Sequence, residues 1–295
     1  MSQKFSVRPR KTDLEKHRQN LLMALIEGDS VGATRLVDDV VSKRWEPSYV
    51  YVHLVGHCLA EIGMRWHSGD LKIAVEHRAT QIALRLLSHA QSFYLNGKSI
   101  GRKAVVTSVE GDRHAIGGLS FADLLRFDGW DVHFLGADSP VNTVVEMVSD
   151  ELPDLVGLSV NIEALVPKAV DTIQALKNLQ KPPAVVVGGY ASYVDSITGA
   201  DFHGADALGA IQWVRKHFDL DSSSVPIEVL LEELGQRIQV LRKDKGLSQQ
   251  GLATAAGLDR SYISAVEHGK QNVSFATLKG IGDALDVSVG DLVAG

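Results

Sequence analysis

From about Leu14 to Ser92 apolar residues recur at helical spacing. Leu21, Leu22, Leu25 and Ile26 share one face, Leu36, Val37, Val40 and Val41 a second, and Leu54, Val55, Leu59 and Ile62 a third. Ile73, His77, Ile82, Leu86 and Leu87 mark a fourth helix. Short breaks at 27–30, 45–48 and 68–70 predict an antiparallel four-helix bundle over 12–97, behind a polar, basic tail over 1–11. The period changes at Gly101. Four β-branched runs at 104–109, 132–135, 155–160 and 184–187 alternate with helical stretches near 118–127, 141–149 and 164–179, and a last unit lies near 207–218. Alternating strand and helix predicts a doubly wound, flavodoxin-like parallel sheet over 101–218. The segment DLDSSSVPIE over 219–228 reads as a linker, and helical periodicity resumes with Leu231, Leu234, Ile238 and Leu241 in a small all-α domain over 229–295. The fold class is therefore α/β plus all-α, in three domains.

Composition narrows the function classes. The 295 residues are 45% hydrophobic and 22% charged, as in an ordinary globular protein, and one cysteine, Cys58, leaves no disulfide framework and no cysteine-built zinc site. No apolar run is long enough to span a bilayer. The opening MSQKFSVRPRKTD has basic residues with no apolar stretch behind them, so a secretory signal is not expected and the reading is cytoplasmic. A net charge of −6 argues against a chain-wide nucleic-acid coat but leaves room for one DNA-reading face.

That face is expected in the last domain. Ser248 suits an N-cap, Gly257 a turn, and Asp259 a second cap. Leu252, Ala253, Ile263 and Val266 then face inward, leaving Arg260, Ser261, Tyr262 and Ser264 outward near the start of a second helix, as in a recognition helix. These residues resemble the Cro and phage-repressor helix-turn-helix family from about Leu234 to Leu292. The resemblance implies a buried Arg242–Glu267 ion pair, Gln249 on a phosphate at a helix start, Arg260 and Ser261 near base edges, and Lys270 and Asn272 on the backbone. Arg260 is the specificity candidate, because guanidinium can bind guanine in a bidentate way. The partner would be a double-stranded DNA operator. The domain is not basic, seven Lys and Arg opposing eight acids from Val229 onward, which departs from the simplest electrostatic expectation.

In an open parallel sheet, ligands bind beyond the carboxyl ends of the strands. The first strand leads into Glu110-Gly111-Asp112-Arg113-His114-Ala115-Ile116-Gly117-Gly118, the third into Ser159-Val160-Asn161, and the fourth into Gly188-Gly189-Tyr190. Glycines at two loop ends leave room for a large ligand, and a histidine at the same mouth suggests a metal. One histidine cannot hold a bare ion, but it can supply one axial bond to a metal held by a macrocycle. The D-x-H-x-x-G run of Asp112, His114 and Gly117 resembles the cobalamin-binding domain of methionine synthase, corrinoid carriers and cobalamin mutases. That resemblance implies His114 as lower axial ligand of cobalt and Asp112 as its orienting carboxylate. It also implies a slot for the displaced nucleotide tail along Ser159, Gly188 and Gly189. Asn161 departs from the usual Ser-x-Leu or Ser-x-Thr.

In the bundle, Trp66-His67 closes the third helix, and Glu76-His77 sits one to two turns into the fourth. An indole can cover apolar area and a carboxylate can accept sugar hydroxyls, which suits an adenosyl group. The W-x(9)-E-H spacing is similar to that of the cobalamin-dependent photoreceptor repressors of CarH type. The resemblance implies adenosylcobalamin, with Trp66 and Glu76 on its adenosyl group and His67 as the upper cobalt ligand after light. It covers about Leu14–Phe218, because the known family carries a different DNA-binding module ahead of its sensor. A non-enzymatic, light-responsive regulator, assembling as a homo-oligomer, is expected. A light-independent sensor of cobalamin level and a corrinoid methyl-carrier remain the alternatives.

Overall fold

The computed structural model describes residues 7–94, 97–192, 197–204, 206–220 and 227–293. The chain divides into two compact units, Pro9–Leu220 and a second comprising Met1–Arg8 with Asp221–Gly295. Residues 221–226 of the expected linker and 1–6 of the expected tail lie outside the described residues. Among the described residues no helix is long and apolar enough to cross a membrane.

The first unit opens with four helices, α1 (Lys11–Glu27), α2 (Ser30–Ser42), α3 (His57–His67) and α4 (Ile73–Gln91). Gly28, at φ +81°, ends α1, and Asp29 caps α2 by accepting the Gly32 N–H. The predicted faces converge on one core of Leu21, Leu25, Val37, Val40, Leu54, Val55, Ile62, Leu86 and Leu87. The third helix differs from expectation at its start, because Tyr49–Gly56 winds as a π-helix before α3 continues. This wider winding carries Tyr51 inward, where its hydroxyl lies 3.1 Å from both the Leu87 carbonyl and the Asp123 carboxylate.

The sheet follows, with strands β1 (Lys103–Val109), β2 (Asp131–Ser139), β3 (Leu155–Ser159), β4 (Ala184–Gly188) and β5 (Phe202–His203). Helices α5 (Ile116–Phe127), α6 (Val141–Glu151), α7 (Val166–Lys177) and α8 (Ala207–His217) alternate with them. All pairings are parallel, in the order β2-β1-β3-β4-β5. Chain direction across the sheet therefore reverses between β1 and β3, the switch point at which ligands bind in this topology. The two-residue β5 has no apolar run to announce it. One face of the sheet packs Val105, Val156, Leu158, Val185 and Val187 against α6 and α7, and the other packs Val106, Leu155 and Val186 against α5 and α8.

Bundle and sheet meet on α5. Ile116, Leu119 and Phe127 pack onto the bundle core, and buried Asp123 receives bonds from Gln91 and Arg126 as well as Tyr51. Burial pushes the Asp123 carboxyl up despite the opposing pull of Arg126 and Tyr51.

The second unit contains α9 (Ile227–Asp244), α10 (Gln249–Ala256), α11 (Arg260–Glu267), α12 (Phe275–Leu285) and α13 (Val289–Val293). Ile238, Leu252, Ala253, Ile263, Val266, Leu278 and Ile281 form its core, including all four residues assigned to the inside of the helix-turn-helix.

Candidate functional site

At the switch point the chain leaves β1 through Gly111, whose φ of +85° turns it sharply. The Gly111 N–H donates to Asp138 Oδ1 at 2.6 Å, and the Asp138 N–H donates to the Asp112 carbonyl at 2.9 Å. The turn delivers Asp112 to a fully buried position. Its Oδ1 accepts from the His114 backbone N–H at 3.0 Å and from His114 Nδ1 at 2.7 Å. Its Oδ2 accepts from the Asn161 backbone N–H at 2.6 Å and from Asn161 Nδ2 at 3.3 Å. The Ser108 hydroxyl donates to the His114 carbonyl at 2.8 Å, fixing the loop from a second side.

A carboxylate facing Nδ1 places the proton there and leaves Nε2 as the free lone pair, on a side chain that is 63% exposed. The bond to Asp112 raises the His114 pKa above the usual imidazole value against the opposing effect of burial, and the charges of Asp112 and Glu76 add to the rise. Burial pushes Asp112 up, but hydrogen bonds from His114 and Asn161 outweigh it and hold the carboxyl below its ordinary range.

Beside this loop Ser159 ends β3 and Gly188 ends β4. A Cβ on Gly117 would meet no atom within 4 Å, and one on Gly188 only the Gly204 carbonyl at 3.8 Å, so both glycines border open space. Gly189 is different. At φ +100° its Cβ would stand 2.4 Å from the Val160 carbonyl, so only glycine fits.

These features fit a corrinoid. One imidazole with a fixed tautomer suits a single axial bond, and among the described residues no group of three or more His, Cys, Asp or Glu could hold a bare ion. The glycine-bordered space beside Ser159 suits a tail.

On the bundle side, Trp66 is 43% exposed and His67, exposed, is the last residue of α3. Met64 and Ile73 are exposed at the same end, giving an apolar rim. Glu76 lies in the first turn of α4 rather than one to two turns in, because α4 begins at Ile73. Its two oxygens meet His77 Nδ1 and the Thr80 hydroxyl, so Glu76 and His77 are partners of each other. The charge of Glu76 adds to the rise of the His114 pKa.

In the second unit, Ser248 caps α10 by accepting the Gly251 N–H, and Gly257 makes the turn at φ +67°. Asp259 occupies the cap position of α11, but its side chain makes no capping bond. Arg260 and Ser261 are exposed at the start of α11, and Lys270 and Asn272 are exposed beyond its end. Ser264 is half-buried. Tyr262, expected outward, instead packs half-buried on the core, because it stands four residues before buried Val266 and so shares that helix face. Arg242 and Glu267 form a buried two-bond ion pair, at 2.5 and 3.1 Å. Burial pushes the Glu267 carboxyl up, yet bonds from Arg242 and Gln249 bring it below its ordinary value. Gln249, expected on a phosphate, gives an amide hydrogen to Glu267 at 2.9 Å. It is anchored to the recognition helix before any DNA is met.

Sequence reasoning singled out Asn161 only as a departure from a pattern and passed over Ser108 and Asp138. The pairing of an invertible Asn side chain with a carboxylate 49 residues away has no local signal.

A buried Asp112 holding an exposed His114 at a flavodoxin-type switch point, a helical bundle beside it, and a separate helix-turn-helix define a cobalamin-binding transcriptional regulator. Comparison with known proteins agrees. Residues 102–211 match the B12 binding domain, residues 17–91 match a second B12 binding domain model, and residues 238–292 match the helix-turn-helix. The chain is 29% identical over 182 residues to the HTH-type transcriptional repressor CarH of Myxococcus xanthus, covering 60% of this chain and 59% of that one. It is 27% identical over 158 residues to dimethylamine corrinoid protein 3 of Methanosarcina mazei, covering 51% of this chain and 94% of that protein. The structure of the Methanosarcina barkeri monomethylamine corrinoid protein superposes with a TM-score of 0.59 at 17% identity, covering 69% of this chain and 99% of that one. This last likeness is one of fold. The chain is thus similar over part of its length to CarH, and its helix-turn-helix match follows its B12 binding domain matches.

Proposed function

We propose that this chain is a light-responsive DNA-binding regulator that uses adenosylcobalamin, built as a bundle over 12–97, a corrinoid-binding sheet domain over 101–218, a linker over 219–228 and a DNA-binding domain over 229–295. The observation that carries the reading is the Asp112–His114 socket, whose histidine also feels the charge of Glu76 from the bundle. When bound, adenosylcobalamin would supply a cobalt centre and a light-sensitive cobalt–carbon bond.

Each residue then has a defined task. His114 Nε2 would hold the cobalt while Asp112 keeps the proton on Nδ1. Ser159, Gly188 and Gly189 would line the tail slot. Trp66 would cover the adenosyl group, and Glu76, steadied by His77 and Thr80, would accept its hydroxyls. His67 would be a second imidazole able to hold the cobalt after light. Drawing His67 inward would move the end of α3, and the bundle's packing on α5 would be the two-state element that light biases. Arg260 and Ser261 read bases of a double-stranded operator, Lys270 and Asn272 hold its backbone, and Gln249 fixes the approach of α10. The protein acts in the cytoplasm as a homo-oligomer and carries out no turnover.

The test loads the full chain with adenosylcobalamin and measures operator affinity and molecular mass in darkness and after green light. Both are expected to change. If neither does, while cobalamin still alters DNA affinity in darkness, the chain is a sensor of cobalamin level instead.

A further inference from the structure

The Asn161 side chain touches the ends of three strands at the switch point. One amide hydrogen goes to Asp112 Oδ2 after β1, at 3.3 Å, and the other to the Ser159 hydroxyl at the end of β3, at 3.1 Å. Its Oδ1 accepts the Tyr190 N–H, after β4, at 3.2 Å. Its backbone N–H makes the 2.6 Å bond to Asp112 already described. Its backbone N–H and its side-chain amide are therefore spent on the loops that carry the histidine and the tail slot. A leucine at this position could make none of the side-chain bonds, and a threonine could donate only once.

We propose that Asn161 is a positioning residue that couples the His114 loop to the tail slot, so that one amide both steadies the axial ligand and favours corrinoids that carry a nucleotide tail. The proposal rests on the reading that His114 ligates cobalt. Asp112 is fully buried and takes two bonds from His114 and two from Asn161, so neither partner can shift without disturbing the carboxylate between them. On the other side, the peptide after Gly189 hangs from Asn161 Oδ1, and a Cβ on Gly189 would approach that same oxygen to 3.0 Å. Backbone bonds from Val160 N–H to the Gly188 carbonyl, at 2.9 Å, and from Ala191 N–H to the Val160 carbonyl, at 3.0 Å, hold the β3 and β4 ends together, and the Asn161 carboxamide ties the Tyr190 peptide beside them to the His114 loop. A tail lying beside Ser159 and Gly188 would meet that tied peptide, and a corrinoid without a tail would not.

The experiment compares the full-length wild type with Asn161→Leu and Asn161→Asp. Each is titrated with cobalt(II) cobalamin and with cobalt(II) cobinamide, which lacks the nucleotide tail. Absorption gives affinity, nitrogen splitting in the electron paramagnetic resonance spectrum reports imidazole on cobalt, and circular dichroism melts check the fold. Asn161→Leu is expected to lower cobalamin affinity about tenfold, the lower end for residues that orient a metal ligand. Its cobinamide affinity falls less, and the imidazole-ligated fraction drops with both. Asn161→Asp keeps an acceptor for Tyr190 but loses the donor to Asp112, so it impairs imidazole ligation while retaining the preference for a tail. Equal losses for both corrinoids in Asn161→Leu, or undiminished nitrogen splitting in both variants, overturn the coupling. Absence of nitrogen splitting in the wild type overturns the His114 reading itself, and the coupling with it.

Discussion

On the sheet side of the candidate cofactor site, His114 is held by a fully buried carboxylate that four hydrogen bonds lock in place. On the bundle side, His67 stands exposed at the last residue of α3, and among the described residues neither its side chain nor that of Trp66 has a hydrogen-bonding or ionic partner. The same side-chain chemistry is therefore prearranged at one end and left free at the other. A residue that must ligate a metal in every state gains from a locked tautomer and a fixed direction. A residue that ligates in only one of two states gains from the reverse, since a rigid hold would bias the switch toward one side. The asymmetry is what a sensor with one permanent and one conditional ligand requires.

The largest expected effect is at the locked end. Asp112→Ala removes the acceptor for the Asn161 and His114 backbone N–H groups and frees the His114 ring. It should cost the cofactor-free protein about 1–3 kcal/mol for each buried donor left without a partner. Cobalamin affinity should fall about 10–100-fold. Denaturant melts and absorption titration measure the two losses. His67→Ala probes the free end, where an exposed side chain without a partner should change stability by no more than about 0.5 kcal/mol. Its effect should be confined to the illuminated protein, whose absorption should show water where the wild type has a second imidazole. If His67→Ala destabilised the cofactor-free protein as much as Asp112→Ala, the contrast between the two ends would collapse.

The two ends also differed in how far the chain announced them. The bundle breaks, four of the five strands and the inward residues of the helix-turn-helix follow from apolar period, because burial on one face writes itself into local spacing. A two-residue strand such as Phe202–His203 and the π-winding at Tyr49–Gly56 leave no such mark, since their apolar residues suit an ordinary turn and an ordinary helix equally well. Asp112 and His114 were legible because the residues that make their bond are two apart. Asn161 was not, because its partners lie 49 residues before it and 29 after it, and polarity beside a strand end reads as a departure until the topology brings β1, β3 and β4 together. Gln249 illustrates the same limit in the second unit, its partner Glu267 being a full helix away.

The smallest effect expected is on pH dependence, and it has opposite signs with and without the cofactor. In the cofactor-free protein the Asp112 carboxyl is held below the ordinary carboxylate range and the His114 imidazole is raised above its ordinary value. A lowered carboxyl contributes stability that is present above its unfolded pKa and lost as pH falls through its folded one. A raised imidazole contributes stability that is complete below its unfolded pKa and lost as pH rises through its folded one. The pair therefore stabilises the fold most between the two unfolded values, and the melting temperature of wild type minus that of His114→Ala should be greatest there and shrink on either side. Solvent at the exposed ring keeps the effect modest. Cobalt, by contrast, takes the lone pair of a neutral imidazole, so protons compete with it. Cobalamin affinity should then rise with pH across the interval in which the His114 contribution to stability falls, approaching about tenfold per pH unit on the acid side if one proton is released. Melts of the cofactor-free protein and cobalamin titrations across one pH series read both slopes. Slopes of the same sign, or a His114→Ala difference that is flat with pH, would show that the Asp112–His114 bond is not what sets the locked end.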